Sequence, residues 1–289
     1  MYFIANRLPN FFAGLERIDM HPHIAFIGGG NMASALIGGL LQQGTPAHQI
    51  QVVEPFDEAR TRLQSQFGVA SLATASAALA QANLVIWAVK PQVFKEAAAP
   101  VASHTRQALH LSVAAGIRSD SMAGWLGTQR IVRAMPNTPA LVGLGQTGLF
   151  ARSGVSSEDR SLIENVIRST GQCLWVSAEP LLDAVTALSG SGPAYVFFFI
   201  EAMCRAGEAM GLSAEQAHQL AVGTFVGAAE LARSSTESPA VLRQRVTSKG
   251  GTTYAALSAM EQAQMGPLFE KALEAARARA VELGDEFGH

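Results

Sequence analysis

Two stretches of the chain combine residue types and spacings suited to holding anions. The first is Gly28-Gly29-Gly30-Asn31-Met32-Ala33, with the pattern G-x-G-x-x-A. It follows a short apolar run at residues 23–27 and opens a helical pattern over residues 32–41. Between a strand and a helix, Gly28 permits the tight turn, Gly30 lets the backbone approach a pyrophosphate, and Ala33 allows close helix–sheet packing. The helix start at Asn31 and Met32 offers free N–H groups and a partial positive charge to phosphates. A glycine-rich turn without a ligand is the alternative, and the strand before and helix after weigh against it. The second stretch is Val246-Thr247-Ser248-Lys249-Gly250-Gly251-Thr252-Thr253. Two glycines between hydroxyl residues at a helix start form an anion-binding nest that suits a small carboxylate. Ser and Thr also cap helices in any protein, so a plain N-cap with a flexible turn stays open here.

Further positions fall where a dinucleotide would extend. Glu54 ends a second short strand, residues 50–53. An acid there commonly bonds the adenine ribose hydroxyls and favours NAD over NADP. A solvent-exposed strand end is the alternative. Pro55 and Phe56 follow rather than an Arg, while Arg60 and Arg62 lie on the next helix, within reach of a 2′-phosphate. Three more loops follow strand patterns: Ala88-Val89-Lys90-Pro91, Ala114-Ala115-Gly116 and Pro136-Asn137-Thr138-Pro139. Ligands of parallel sheets bind at the carboxyl ends of strands, so these loops are candidates for the nicotinamide half. No His lies in any of these motifs. Cys173 and Cys204 are far apart and lack metal-ligand spacing, which fits a reducing, cytoplasmic setting and no metal site.

The elements that position these groups change character along the chain. Strand patterns at residues 84–89, 109–113, 131–135, 147–151 and 173–176 alternate with helical ones, including 157–169. That alternation predicts βαβ units and a parallel sheet. Beyond about residue 178 only helices are predicted, at 180–187, 193–210, 214–232, 239–245, 253–262 and 267–283. The expected fold is therefore an α/β Rossmann-type domain over residues 21–178 and an all-α dimerisation domain over 179–289. Residues 1–20 read as an extension that is disordered or loosely docked, and Met20 stands just before the first convincing strand. Charged residues make up only 15% of the 289, and the net charge is −2. Such a surface has no basic face for nucleic acid, and its low charge suggests an apolar subunit interface. Gly223 and Gly227, four apart, would let another backbone approach closely, in a dimer core or in ordinary packing. The longest apolar run, near residues 194–200, stops at Glu201, so no membrane span is expected.

The chain resembles the pyrroline-5-carboxylate reductase family. The resemblance rests on FIGGGNMA, AVKPQ, SVAAGI, MPNTPALVGLGQTG, LSGSGPAYVFFFIEAM and VTSKGGTTYAAL, from about residue 24 to residue 257. It implies reduction of the cyclic imine 1-pyrroline-5-carboxylate to L-proline with NADPH or NADH, the last step of proline biosynthesis. Carried over by position, it implies that Val246, Ser248, Gly250, Gly251, Thr252 and Thr253 hold the substrate, with Thr253 facing the imine nitrogen. It also implies a homodimer or larger ring. The family pattern usually has Pro where this chain has Lys249, which bears on the stiffness of the turn and on the charge near the substrate carboxylate. Imine reduction needs little acid–base machinery, in keeping with a site of backbone, hydroxyls and glycines. Another imine or hydroxy-acid dehydrogenase of the same plan is an alternative. Those with a catalytic Lys on a helix of the second part would need one there, and that region offers only Lys249 and Lys271. A non-catalytic dinucleotide sensor would keep the glycine loop but have no reason to keep the nest.

Overall fold

The computed structural model describes residues 22–288, so the expectations about residues 1–20 and the start at Met20 lie outside the described residues. Strand β1 (Ile24–Ile27) is buried along its whole length. Strands covered on both faces must be apolar throughout. β1 and β4 (Leu84–Trp87) meet that condition. β5 (Leu109–Ser112) breaks it with His110, which is fully buried and hydrogen-bonded at both ring nitrogens. The remaining strands are β2 (Ile50–Val53), β3 (Ala70–Leu72), β6 (Ile131–Met135), β7 (Gly145–Ala151) and β8 (Gly171–Trp175). They form one sheet in the order β3-β2-β1-β4-β5-β6-β7-β8.

Pairing is parallel from β3 through β6. β7 then runs antiparallel to β6, with Met135 opposite Gly148, and β8 follows β7 in parallel. The expected Rossmann-type sheet is present, corrected at this edge. A parallel crossover takes about a dozen residues or more, and residues 136–144 between β6 and β7 are too few.

Helices α1 (Asn31–Gln42), α2 (Asp57–Phe67), α3 (Pro91–Ala102), α4 (Ser119–Leu126) and α5 (Ser157–Arg168) cover the two faces. Successive strand residues point to opposite faces, so Ile24 and Phe26 join one core cluster with Leu36, Ile37 and Ile163. Ala25, Ile27 and Trp87 join the other with Phe94 and Met122. α2 stops at Gly68, which takes a left-handed φ of 67° as a helix exit without a Cβ penalty.

After β8 the chain is helical. α6 (Leu181–Val185) passes through a π turn at Thr186–Gly190 into α7 (Gly192–Ala209). Together Leu181–Ala209 form one continuous helix of 29 residues, long and apolar enough by length and composition to cross a bilayer. The sequence expectation placed separate helices at 180–187 and 193–210, and the π turn joins them. Glu201 pairs with Arg205 one turn on, and the helix continues through both. α8 (Ala214–Ser234) starts with a capping box between Ser213 and Gln216 and packs on α7, with Gly207 against Ala217. α9 (Pro239–Arg245), α10 (Thr252–Gln262) and α11 (Met265–Glu286) follow. Neither α9 nor α10 buries a single residue within one chain.

Candidate dinucleotide and carboxylate sites

The glycine loop lies between β1 and α1, at the carboxyl end of the sheet centre. Gly28 has φ 96°, and a Cβ there would sit 2.6 Å from the Ala88 carbonyl oxygen at the end of β4. Only glycine fits that turn. Among the described residues, a Cβ at Gly30 would meet no atom beyond its chain neighbours within 4 Å, so the space before α1 is open. No side chain caps α1 and its first turn has no acid, leaving its first amides for an incoming anion. Ala33 is buried against the sheet, while Asn31 is exposed and Met32 half-buried. These features fit a dinucleotide pyrophosphate.

Glu54 departs from expectation. It is buried, with only 7% of its surface exposed. One carboxylate oxygen accepts the Gly29 N–H at 2.7 Å and the other accepts the Phe56 N–H at 3.0 Å. It is not a solvent-exposed strand end; each carboxylate oxygen accepts a backbone N–H, and the side chain ties the glycine loop to the turn after β2. Arg60 braces the same turn through the carbonyls of Glu54 and Pro55 and through Asp57. Arg62 is exposed and donates to the Gly29 carbonyl at 3.0 Å, which brings its guanidinium to the glycine loop.

The three further loops lie where expected, after β4, β5 and β6, but their residues differ in availability. Val89 is half-buried, and Lys90 is exposed at the start of α3, followed by Pro91 in its first turn. Ala115 is the exposed tip of its loop. Gly116, at φ 74°, faces Phe287 and Leu283 at the chain's end. Asn137 is buried; its amide donates to the Ser189 carbonyl and its oxygen accepts the Gln146 N–H. Its side chain holds the loop to β7 and to the π turn.

In the second part, the Gly251 N–H donates to the Ser248 carbonyl at 3.0 Å, closing a turn in which Gly250 takes φ 74°. A Cβ at Gly251 would come 2.5 Å from the Ser248 hydroxyl, so that hydroxyl lies over the glycine. α10 begins directly afterwards with no side-chain cap. Thr252 and Thr253 stand exposed in its first turn, Val246 and Lys249 are exposed beside it, and Gly251 is half-buried. Thr247 turns back to the Arg243 carbonyl. The arrangement is a nest of hydroxyls and amides, open to solvent in a single chain.

A buried ionic joint between the two parts is absent from the sequence reading. Arg133 on β6 pairs with Glu179 at 2.6 Å, and Glu179 also accepts the Ser119 N–H and hydroxyl. Burial pushes the Arg133 guanidinium below its usual range, against the raising effect of Glu179. Burial alone would raise the Glu179 carboxyl, but the Ser119 bonds and the Arg133 charge outweigh it and leave it below the usual range. The available signal was the Arg inside the apolar run IVRAM, since a charge in a buried strand requires a partner.

A doubly wound sheet with an open glycine loop, followed by a helical region, defines a dinucleotide-binding protein of two parts. Residues 23–116 match the family model described as NADP oxidoreductase, coenzyme F420-dependent. Residues 179–283 match the one for pyrroline-5-carboxylate reductase dimerisation. The chain belongs to the pyrroline-5-carboxylate reductase family. It is 44% identical to the pyrroline-5-carboxylate reductase of Pseudomonas aeruginosa, over 92% of this chain and 98% of that one. It is 36% identical to that of Arabidopsis thaliana, over 90% and 95%. Among solved structures, a pyrroline-5-carboxylate reductase from Coxiella burnetii matches with TM-score 0.85 and 39% identity, over 91% of this chain and 98% of that chain. The Plasmodium falciparum pyrroline carboxylate reductase, with NADP bound, matches with TM-score 0.82 and 26% identity, over the same shares.

Proposed function

We propose that this chain reduces 1-pyrroline-5-carboxylate to L-proline with NADPH or NADH, as the last step of proline biosynthesis in the cytoplasm. The observation that carries this reading is the pairing of two open anion sites: an uncapped glycine-loop helix and an uncapped hydroxyl nest. Family membership supports it. A reduced nicotinamide, when bound, would supply hydride to the imine carbon of a substrate whose ring nitrogen has taken a proton from solvent, giving the C–N single bond and N–H of proline. The residues supply placement. Gly28, Gly30, Asn31, Met32 and Ala33 hold the pyrophosphate, and the loops at Ala88–Pro91, Ala115–Gly116 and Asn137 frame the nicotinamide half. Val246, Ser248, Gly250, Gly251, Thr252 and Thr253 hold the substrate: the nest from Ser248 to Thr253 grips the carboxylate, and the Thr253 hydroxyl bonds the ring nitrogen.

We assign residues 21–178 to the dinucleotide domain and residues 179–289 to the substrate and dimerisation domain. α7 to α10 form the contact between two copies. Phe197, Phe198, Val226 and Leu231 are 60–67% exposed in one chain, and among the described residues a Cβ at Gly223 or Gly227 meets no atom outside its own helix turn within 4 Å. A second copy covers this face and also the nest, from which water must be excluded for hydride transfer. Covering by a copy accounts for the long apolar helix without a bilayer. Initial rates with pyrroline-5-carboxylate and each cofactor test the function. Proline formed in step with cofactor oxidation supports it, and cofactor binding without turnover would refute it.

A further inference from the structure

We propose that the C-terminal end of α11 positions the loop after β5, and through it the nicotinamide half of the cofactor. This rests on the reading that the chain binds NADPH or NADH. Residues 113–118 leave the sheet at its carboxyl edge, and a free loop there would sample many conformations. Here its inner side is occupied by a segment some 170 residues further along the chain. A Cβ added to Gly116 would come 3.2 Å from the Phe287 ring and 3.4 Å from Leu283. Phe287 packs on the core cluster that contains Ile117 and Met122. Two residues beyond Gly116, the Arg118 guanidinium lies flat on Gly284, where a Cβ would be 2.6 Å from its nitrogens. The same guanidinium donates to Asp183 at 3.0 Å and reaches Asp285 at 4.0 Å. The Ser121 hydroxyl donates to the Gly288 carbonyl at 2.6 Å.

This contact is specific to the end of the helix. Ala280 and Gly284 are the residues that α11 buries. Glycine on both sides, Gly116 and Gly284, leaves room for this close approach, and a side chain at either position would require Phe287 or the Arg118 guanidinium to shift. With its inner side fixed, the loop presents exposed Ala115 and its own amides at the cofactor edge in one place. Hydride transfer depends on such fixing, because small misplacements of the reacting groups cost large factors in rate. Phe287 and Leu283 are thus positioning residues that touch neither substrate nor cofactor.

The test compares whole cofactor with half cofactor. Dissociation constants are measured for NADPH and NADH, and for ADP-ribose with and without a 2′-phosphate, in the unaltered protein and in Phe287→Ala. Phe287→Ala should weaken binding of the whole cofactor roughly tenfold, about 1.4 kcal/mol. Binding of the nicotinamide-free halves should stay within about twofold, because the glycine loop is untouched. Phe287→Leu, which keeps the apolar contact, should restore most of the loss. Should Phe287→Ala fail to fold, Ser121→Ala should give the same split at smaller amplitude. Equal weakening of whole and half cofactors would mean general loosening and overturn the proposal, as would no change in either. If the unaltered protein bound the half cofactors but neither whole cofactor, the cofactor reading itself would fall.

Discussion

At the scale of single residues, Glu54 shows how a sequence position and a side-chain role separate. Its place at the end of β2 suggests a ribose-binding acid. Its carboxylate instead accepts the N–H groups of Gly29 and Phe56 from within the protein. Removing this acceptor leaves the buried Gly29 amide unsatisfied, at about 1–3 kcal/mol, while the part-buried Phe56 amide can turn to water. Glu54→Ser should therefore weaken NADH and NADPH binding together and lower the melting temperature. Loss of NADH binding alone, with NADPH unaffected, would show that the carboxylate swings out to the ribose. Thr253 bears the more direct prediction. Thr253→Ala, folded and assembled, should lose roughly ten- to hundredfold in kcat/KM, as one site hydrogen bond implies. Unchanged kinetics would remove its hydroxyl from the reaction. The glycine loop and the nest were legible because backbone geometry dictates glycine at Gly28 and Gly250. The direction of the Glu54, Asn137 and Gly116 contacts was not, because it depends on neighbours up to 171 residues away.

At the scale of elements, most helices and strands announce themselves by period and punctuation. The exceptions have physical causes. β3 is three residues long, too short to show a pattern. β7 reverses because its connection is short. β5 carries a histidine in a dry strand, and a titration should expose its role. The Trp87 indole can only donate, so its 3.1 Å bond fixes His110 Nδ1 as an unprotonated acceptor, and Nε2–H donates to the Thr105 carbonyl. Burial, against the raising effect of that carbonyl bond and with a smaller contribution from Arg130, lowers its pKa from 6.5 to about 4. The unfolded chain therefore takes up this proton first as pH falls. Stability should decline from about pH 6.5 towards pH 4 and gain no further loss from this group below that, about 3 kcal/mol in all. Glu179 acts in a different window. Its lowered carboxyl contributes stability above its ordinary value of 4.5, which is lost as pH falls through its folded value. Urea midpoints from pH 7 to pH 5 should slope less in His110→Phe than in the unaltered protein. An equal slope would assign the pH dependence elsewhere.

At the scale of the whole molecule, a single chain is incomplete. Its first part has two well-packed cores, but α9 and α10 bury nothing of their own. The match of residues 179–283 to a dimerisation family model agrees with the interface suggested by the low charge content, and the small-residue pair on α8 lies within the proposed contact. The openness of the nest became visible only in the fold. Phe198→Glu places a charge in the proposed contact, where Phe198 is 60% exposed in one chain. It should give a monomer by light scattering and lower turnover more than tenfold, because an ion pushed into an apolar interface is costly. A monomer with full turnover would separate assembly from catalysis. The central claim is hydride delivery to the imine carbon of a carboxylate held in the nest. It is tested most directly with cofactor deuterated at the transferable position of its nicotinamide and 1-pyrroline-5-carboxylate as substrate. The account predicts L-proline carrying one deuterium on the ring carbon that had been double-bonded to nitrogen. Cofactor oxidation without labelled proline, or label at any other carbon, would contradict it.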